Sequence, residues 1–140
     1  MKTHHTEDPS EAPQLTELQM AVMRVLWEKR EATVADICDA LRPERGLALT
    51  TVATLLSRLE KRGIVEHRAR ARQYLYSARV SESEVRRGMV QELTERLFDG
   101  DVAALMSHLL SARAVSPGDL ARVKKLVEAH EKKRGAGHES

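Results

Sequence analysis

Thr50, Thr51, Thr54 and Ser57 run ahead of Arg58 and Lys61 at helical spacing. Short hydroxyls can approach base edges or phosphates without bulk, and a threonine methyl can touch a thymine methyl. The longer cations reach outward to phosphates, and an arginine can take a guanine edge bidentately. Arg68, Arg70 and Arg72 follow at alternate positions. In an extended chain that spacing turns them to one side, and at a loop tip it fans them toward a phosphate backbone. Each pattern alone also has a plain structural meaning. A helix face on water is polar, and charge protects a strand edge against aggregation. Their succession along the chain points to a polyanion. Residues 58–72 carry six cations against Glu60 and Glu66, a local charge of +4 in a chain whose net charge is only +2. One basic face on a near-neutral protein implies a single polyanion-binding surface.

Other chemistry finds little support. There is no glycine-rich phosphate loop, nucleophile elbow or HExxH motif, and the acids fall on solvent faces and in helix caps, so no enzymatic activity is expected. The histidines at 4, 5, 67, 108, 130 and 138 show no i, i+3 or i+4 pairing and no cysteine partner, so neither a metal nor a cofactor is expected. The single cysteine, Cys38, lies on an apolar stripe, which favours packing over redox sensing. One cysteine allows no intrachain disulfide and suits a reducing cytoplasm. No apolar run approaches the roughly 18 residues of a membrane span, so no membrane insertion is expected.

The elements that must position these residues are mostly helical. Aromatics make up 3% of the 140 residues, leaving a core of Leu, Val, Ala and Met. Thr16 can cap a first helix whose stripe contains Leu18, Val22, Val25 and Leu26, widened by Met20, Met23 and Trp27. A short extended link at 30–32 leads to Thr33, the cap of a second helix with Val34, Ile37, Cys38 and Leu41 on one face. Pro43 and Gly46 end it. The third helix, 50–62, sets Val52, Leu55, Leu56 and Leu59 opposite Thr50, Thr54, Ser57, Arg58 and Lys61, with Thr51 on the flank. Gly63 stops it. Residues 64–68 and 73–77 read as a hairpin of open register. Tyr74 and Tyr76 share one strand face and are expected to pack across the hairpin onto the helices. Three helices followed by a hairpin make a winged helix-turn-helix, whose second and third helices form the DNA-reading pair.

Three further helices follow. Ser81 with Glu84 is a capping-box pattern, Gly100 and Asp101 separate the next two helices, and Ser116, Pro117 and Asp119 open the last. Val85, Met89, Val90, Leu93 and Leu97, then Leu105, Met106, Leu109, Leu120, Val123 and Val127, give more apolar surface than three thin helices can bury. All but Val90 are taken as dimerisation residues; a two-fold dimer would present two reading helices to an inverted repeat.

The stretches LTELQMAVMRVLWEKREATVADICDAL, LALTTVATLLSRLEKRGIVEHRARARQYLYS and LTERLFDGDVAALMSHLL resemble the penicillinase-repressor (BlaI/MecI/CopY) family. The most specific pieces are the VMxxLW segment, TTVxTxLxRLE and LFDGD, and the resemblance covers nearly everything from Leu15 to about Ala129. It implies a dimeric repressor on pseudo-palindromic promoter DNA, with contacts at Thr50, Thr51, Thr54 and Arg58 and support from Arg70 or Arg72. It also implies, for the β-lactam branch and hence antibiotic resistance, derepression by a membrane sensor metalloprotease that cuts between dimerisation helices. The matching segment is Ser107, His108, Leu109 and Leu110, which lacks the Asn-Phe pair of staphylococcal-type members. Copper sensing needs paired cysteines, and this chain has one.

The expected molecule is therefore mainly α: a disordered tail (1–14), a winged helix (15–79), a three-helix dimerisation region (80–132) and a second tail (133–140). It is expected to be a cytoplasmic homodimeric repressor that binds an inverted-repeat operator in double-stranded DNA. The DNA-binding set is Thr50, Thr51, Thr54, Ser57, Arg58, Lys61, Arg68, Arg70 and Arg72, and the cleavage region is His108 and Leu109. Two alternatives share the fold: a winged-helix protein-interaction module, and a small-molecule-sensing regulator with a pocket among the C-terminal helices.

Overall fold

The computed structural model describes residues 14–111 and 115–139. The expected N-terminal tail, apart from Gln14, lies outside them. In chain order the elements are α1 (Glu17–Lys29), α2 (Val34–Leu41), α3 (Leu49–Lys61), β1 (Val65–Arg70), β2 (Gln73–Ala78), α4 (Glu82–Phe98), α5 (Val102–Ser111) and α6 (Pro117–Glu139). The chain falls into two compact units that divide between Glu92 and Leu93, inside α4.

The first unit is a winged helix-turn-helix, as its apolar periods require. Thr16 and Thr33 cap α1 and α2 through reciprocal boxes with Gln19 and Asp36, each satisfying two backbone donors that a helix start leaves open. Helix α3 begins one residue earlier than expected. Its N-cap, Ala48, offers no side-chain acceptor, and its first turn carries no acid. At the other end Gly63 takes φ +78°; its N–H donates to Glu60 O and that of Ile64 to Leu59 O. That paired closure needs a left-handed residue, which glycine supplies without a Cβ penalty.

β1 and β2 pair antiparallel with Arg70 opposite Gln73 and Val65 opposite Ala78. The register left open by the sequence is thus set by a two-residue turn, Ala71–Arg72, in which Ala71 adopts φ +56°. The link before α2 adds a third short edge: Ala32 N–H donates to Tyr76 O at 3.1 Å and Tyr76 N–H to Ala32 O at 2.8 Å. Between these layers lies one core, with Val22, Met23, Leu26, Ile37, Val52, Leu56, Leu59, Ile64 and Val65 all at 2% exposure or less. Trp27 closes one side, its indole N–H donating to Val80 O at 2.9 Å.

Three expectations are corrected here. Val85, taken as a dimerisation residue, is fully buried in this N-terminal core, and Met89 packs partly against it. The opening turns of α4 thus contribute to that core, and Val85 has no surface to offer a second chain. The tail expected at 133–140 is helical through Glu139: Gly135 and Gly137 weaken a helix by about 1 kcal/mol each but do not forbid its geometry. The hairpin runs two residues further along β1 than the apolar pattern indicated, since Ala69 and Arg70 pair although exposed.

In the second unit α5 buries no residue. Leu97, Val102, Leu110, Leu120 and Leu126 are all more than half exposed.

Because Leu56 is wholly enclosed, Leu56→Ala should lower unfolding free energy by about 2–5 kcal/mol in urea denaturation. Thr33→Ala, which removes one capping box, should cost about 1 kcal/mol. A Leu56→Ala loss no larger than that of Thr33→Ala would show that the core is packed otherwise.

Candidate nucleic-acid interface

Helix α3 presents two faces because its apolar residues recur with the helix period. Val52, Leu55, Leu56 and Leu59 turn inward and are buried. The same geometry commits Thr50, Thr51, Thr54, Ser57, Arg58 and Lys61 to the surface, where all six are exposed. Hydroxyls occupy the first turns and cations the last, in the order read from the sequence. The uncapped start of α3 leaves backbone N–H groups without a side-chain acceptor, a polarity that favours an anion there.

The hairpin arginines divide into two groups. Arg70 ends β1 and Arg72 occupies the turn, and both are exposed. Arg68 is engaged elsewhere. Its Nε donates to Glu31 Oε2 and its terminal nitrogen to Glu31 Oε1, both at 2.9 Å. This fork–fork pair spans from the α1–α2 link to β1. Hydrogen bonding from Arg68 holds the Glu31 carboxyl below the ordinary glutamate range, and the charges of Arg68 and Arg70 add to that effect. The guanidinium of Arg68 is raised in turn by the same bond.

A second tie joins the hairpin to α3. His67 Nδ1–H donates to Glu60 Oε2 at 2.6 Å. The imidazole ring lies 4.2 Å from that of Tyr74 and 5.5 Å from that of Tyr76, centroid to centroid. Tyr76, opposite His67 in the ladder, is buried as expected, whereas Tyr74 stays 54% exposed. Burial pushes the Tyr76 phenol up, and the charge of Glu60 adds to the shift. Between α2, α3 and β2 lies an open, mostly apolar groove of about 410 Å³ whose lining includes Val34, Leu49, Thr50, Ala53, Gln73 and Tyr74.

Sequence reasoning did not find Glu31, Glu60, His67 or this groove. An isolated glutamate in a link carries no period or spacing that could announce its partner 37 residues away. His108 and Leu109, the expected cleavage region, fall inside α5 and are exposed. Phe98 packs its ring 5.9 Å from that of His108. Among the described residues no helix is long and apolar enough to cross a membrane, and no cluster of His, Cys, Asp or Glu could hold a metal ion.

A sequence model of the family described as penicillinase repressor matches residues 15–129. Among characterised and uncharacterised relatives, the chain is 28% identical over 116 residues to a 16.5 kDa protein from the ptsI 3' region of Latilactobacillus sakei, covering 83% of this chain and 80% of that one. It is 20% identical over 122 residues to the penicillinase repressor of Bacillus licheniformis, covering 87% and 95%. Among solved structures, the DNA-binding domain of the repressor BlaI aligns with 26% identity and a TM-score of 0.47, covering 53% of this chain and 90% of that one.

The Glu31–Arg68 tie predicts a local acid response. A carboxyl depressed on folding stabilises the fold fully above its unfolded value, about 4.3, and loses that contribution as pH falls through the lower folded value. The Arg68 Nε–H resonance, followed by NMR on acidification, should keep its bonded shift through the ordinary glutamate range and change only below it. A change centred at the ordinary value would show that the pair does not form.

Proposed function

The chain belongs to the penicillinase repressor family of DNA-binding transcriptional repressors, and from that premise we propose that it acts as a homodimer on an inverted-repeat promoter operator. As a member of such a family it is not an enzyme. In this reading the exposed face of α3 enters the major groove, where Thr50, Thr51, Thr54 and Ser57 meet base edges and Arg58 and Lys61 meet phosphates or guanine. The hairpin tip, through Arg70 and Arg72, grips the backbone alongside.

The observation that carries the reading is the segregation of α3: four buried aliphatics on one side, and on the other only hydroxyls, small side chains and cations, save for Leu49 and the half-buried Glu60. A helix packed for stability alone would favour an acid in its first turn; its absence, beside a basic hairpin, leaves that end open to an anion. Net charge near neutrality confines the attraction for DNA to that face.

Dimerisation is supported by the second unit. Five large aliphatics there are more than half exposed and α5 has no buried residue, and apolar surface on this scale marks an interface. A second copy covers it most simply, because a two-fold pair also supplies the second reading helix. The interface would use Leu93, Leu97, Leu105, Met106, Leu109, Leu120, Val123 and Val127. Derepression then follows from loosening the dimer. Cutting α5 near His108 and Leu109, by a membrane sensor metalloprotease or otherwise, would separate two reading heads that hold DNA only weakly alone.

Fluorescence anisotropy on a labelled duplex of the gene's own upstream region should show binding at least ~10³-fold tighter than to scrambled DNA. Log affinity should fall with log salt by about 0.9 for each phosphate neutralised. Equal, weak binding to both duplexes would instead favour a protein-interaction role for the winged helix. A chain ending at Gly100 should sediment as a monomer and bind that operator at least about a hundredfold less tightly, because the second head loses its effective concentration. Undiminished affinity would contradict both the dimer and this route of derepression.

A further inference from the structure

Glu31 is an exposed carboxylate beside the basic hairpin, where a nucleic acid would meet repulsion from it. The carboxylate is nevertheless committed to a demanding geometry. Both of its oxygens accept from Arg68, one from Nε and one from a terminal nitrogen, at 2.9 Å each. Planar fork–fork pairing of this kind fixes orientation as well as distance, unlike most surface ion pairs. The next residue, Ala32, exchanges two backbone hydrogen bonds with Tyr76 of β2. The link between α1 and α2 therefore holds both strands at once: β2 by its backbone and β1 by the Glu31 fork.

Arg68 is two residues from Arg70 and four from Arg72, so the direction of its side chain and strand sets where the tip cations lie. His67, its neighbour on the other face of β1, is held to Glu60 of α3. The hairpin is thus braced from the link on one face and from the reading helix on the other. We propose that Glu31 is a positioning residue for DNA binding: its clamp on Arg68 fixes the hairpin so that Arg70 and Arg72 meet the DNA backbone, and Arg68 does not. The proposal rests on the DNA-binding reading of the hairpin and removes one residue from the DNA-contacting set expected from the sequence.

The sign of the effect separates this role from simple electrostatics. Removing a negative charge near a phosphate-binding surface should strengthen binding if nothing else changes. If Glu31 positions the hairpin, Glu31→Ala should weaken binding of the full-length chain to the upstream duplex by about threefold. Glu31→Gln, which keeps one acceptor oxygen, should fall between that variant and the unaltered chain. Arg68→Gln should lose a similar factor while leaving the salt slope unchanged, whereas Arg72→Gln should lower the slope by ~0.9. Unchanged or tighter binding by Glu31→Ala, or a slope lowered by Arg68→Gln as much as by Arg72→Gln, would overturn the proposal.

A measurement without DNA separates failure of the clamp from failure of the DNA reading. Amide hydrogen exchange across residues 65–78 should be faster in Glu31→Ala than in the unaltered chain, with exchange in α1 and α3 unchanged. Identical exchange in the hairpin overturns the proposal whatever the duplex shows. Faster exchange in a chain whose unaltered form binds no duplex would keep the clamp, but the DNA reading and the positioning role would fall together.

Discussion

The inward packing of Val52, Leu55, Leu56 and Leu59 is the interaction on which the rest of the first unit depends. Once these four residues enter the core against α1 and α2, the rotation of α3 about its axis is no longer free. Every remaining side chain has its direction assigned by the helix period. The hydroxyls at 50, 51, 54 and 57 and the cations at 58 and 61 share the outer surface because no inward position remains for them. The proposed DNA-binding set on α3 is thus the residue set that the core rejects. The closure of α3 at Gly63 is followed within two residues by β1, which brings the hairpin arginines into the same unit as the exposed face of α3.

A second constraint concerns surface that the fold does not cover. The first unit closes its core by borrowing Val85 and part of Met89 from α4. Beyond Glu92 the helices keep leucines and valines at high exposure. The cost of leaving them in water scales with their apolar area, and association is the usual remedy. The two units thus differ: one encloses a core of its own, and the other leaves much of its apolar surface exposed.

Much of this was legible in the sequence, for local reasons. Thr16, Thr33, Ser81 and Ser116 announce helix starts through bonds to residues three positions on, and Gly63 announces a stop through its positive φ. The two faces of α3 follow from counting. The features that were not legible depend on distant partners. Glu31 and Arg68 are 37 residues apart; Ala32 and Tyr76 pair through backbone atoms, which every residue carries. The hairpin register rests on Ala71 at φ +56°, a conformation that alanine rarely advertises. Val85 carries the same apolar signature whether it meets its own chain or another, so periodicity could not assign it.

The most direct test of the central claim, that the outer face of α3 and the hairpin tip form the DNA-reading surface, is an NMR titration of the backbone and side-chain amides with the operator duplex. Shifts concentrated on residues 49–61 and on Arg70 and Arg72, with the buried face of α1 little affected, are the expected result. Shifts confined to α5 and α6, or spread evenly over the chain, would contradict it.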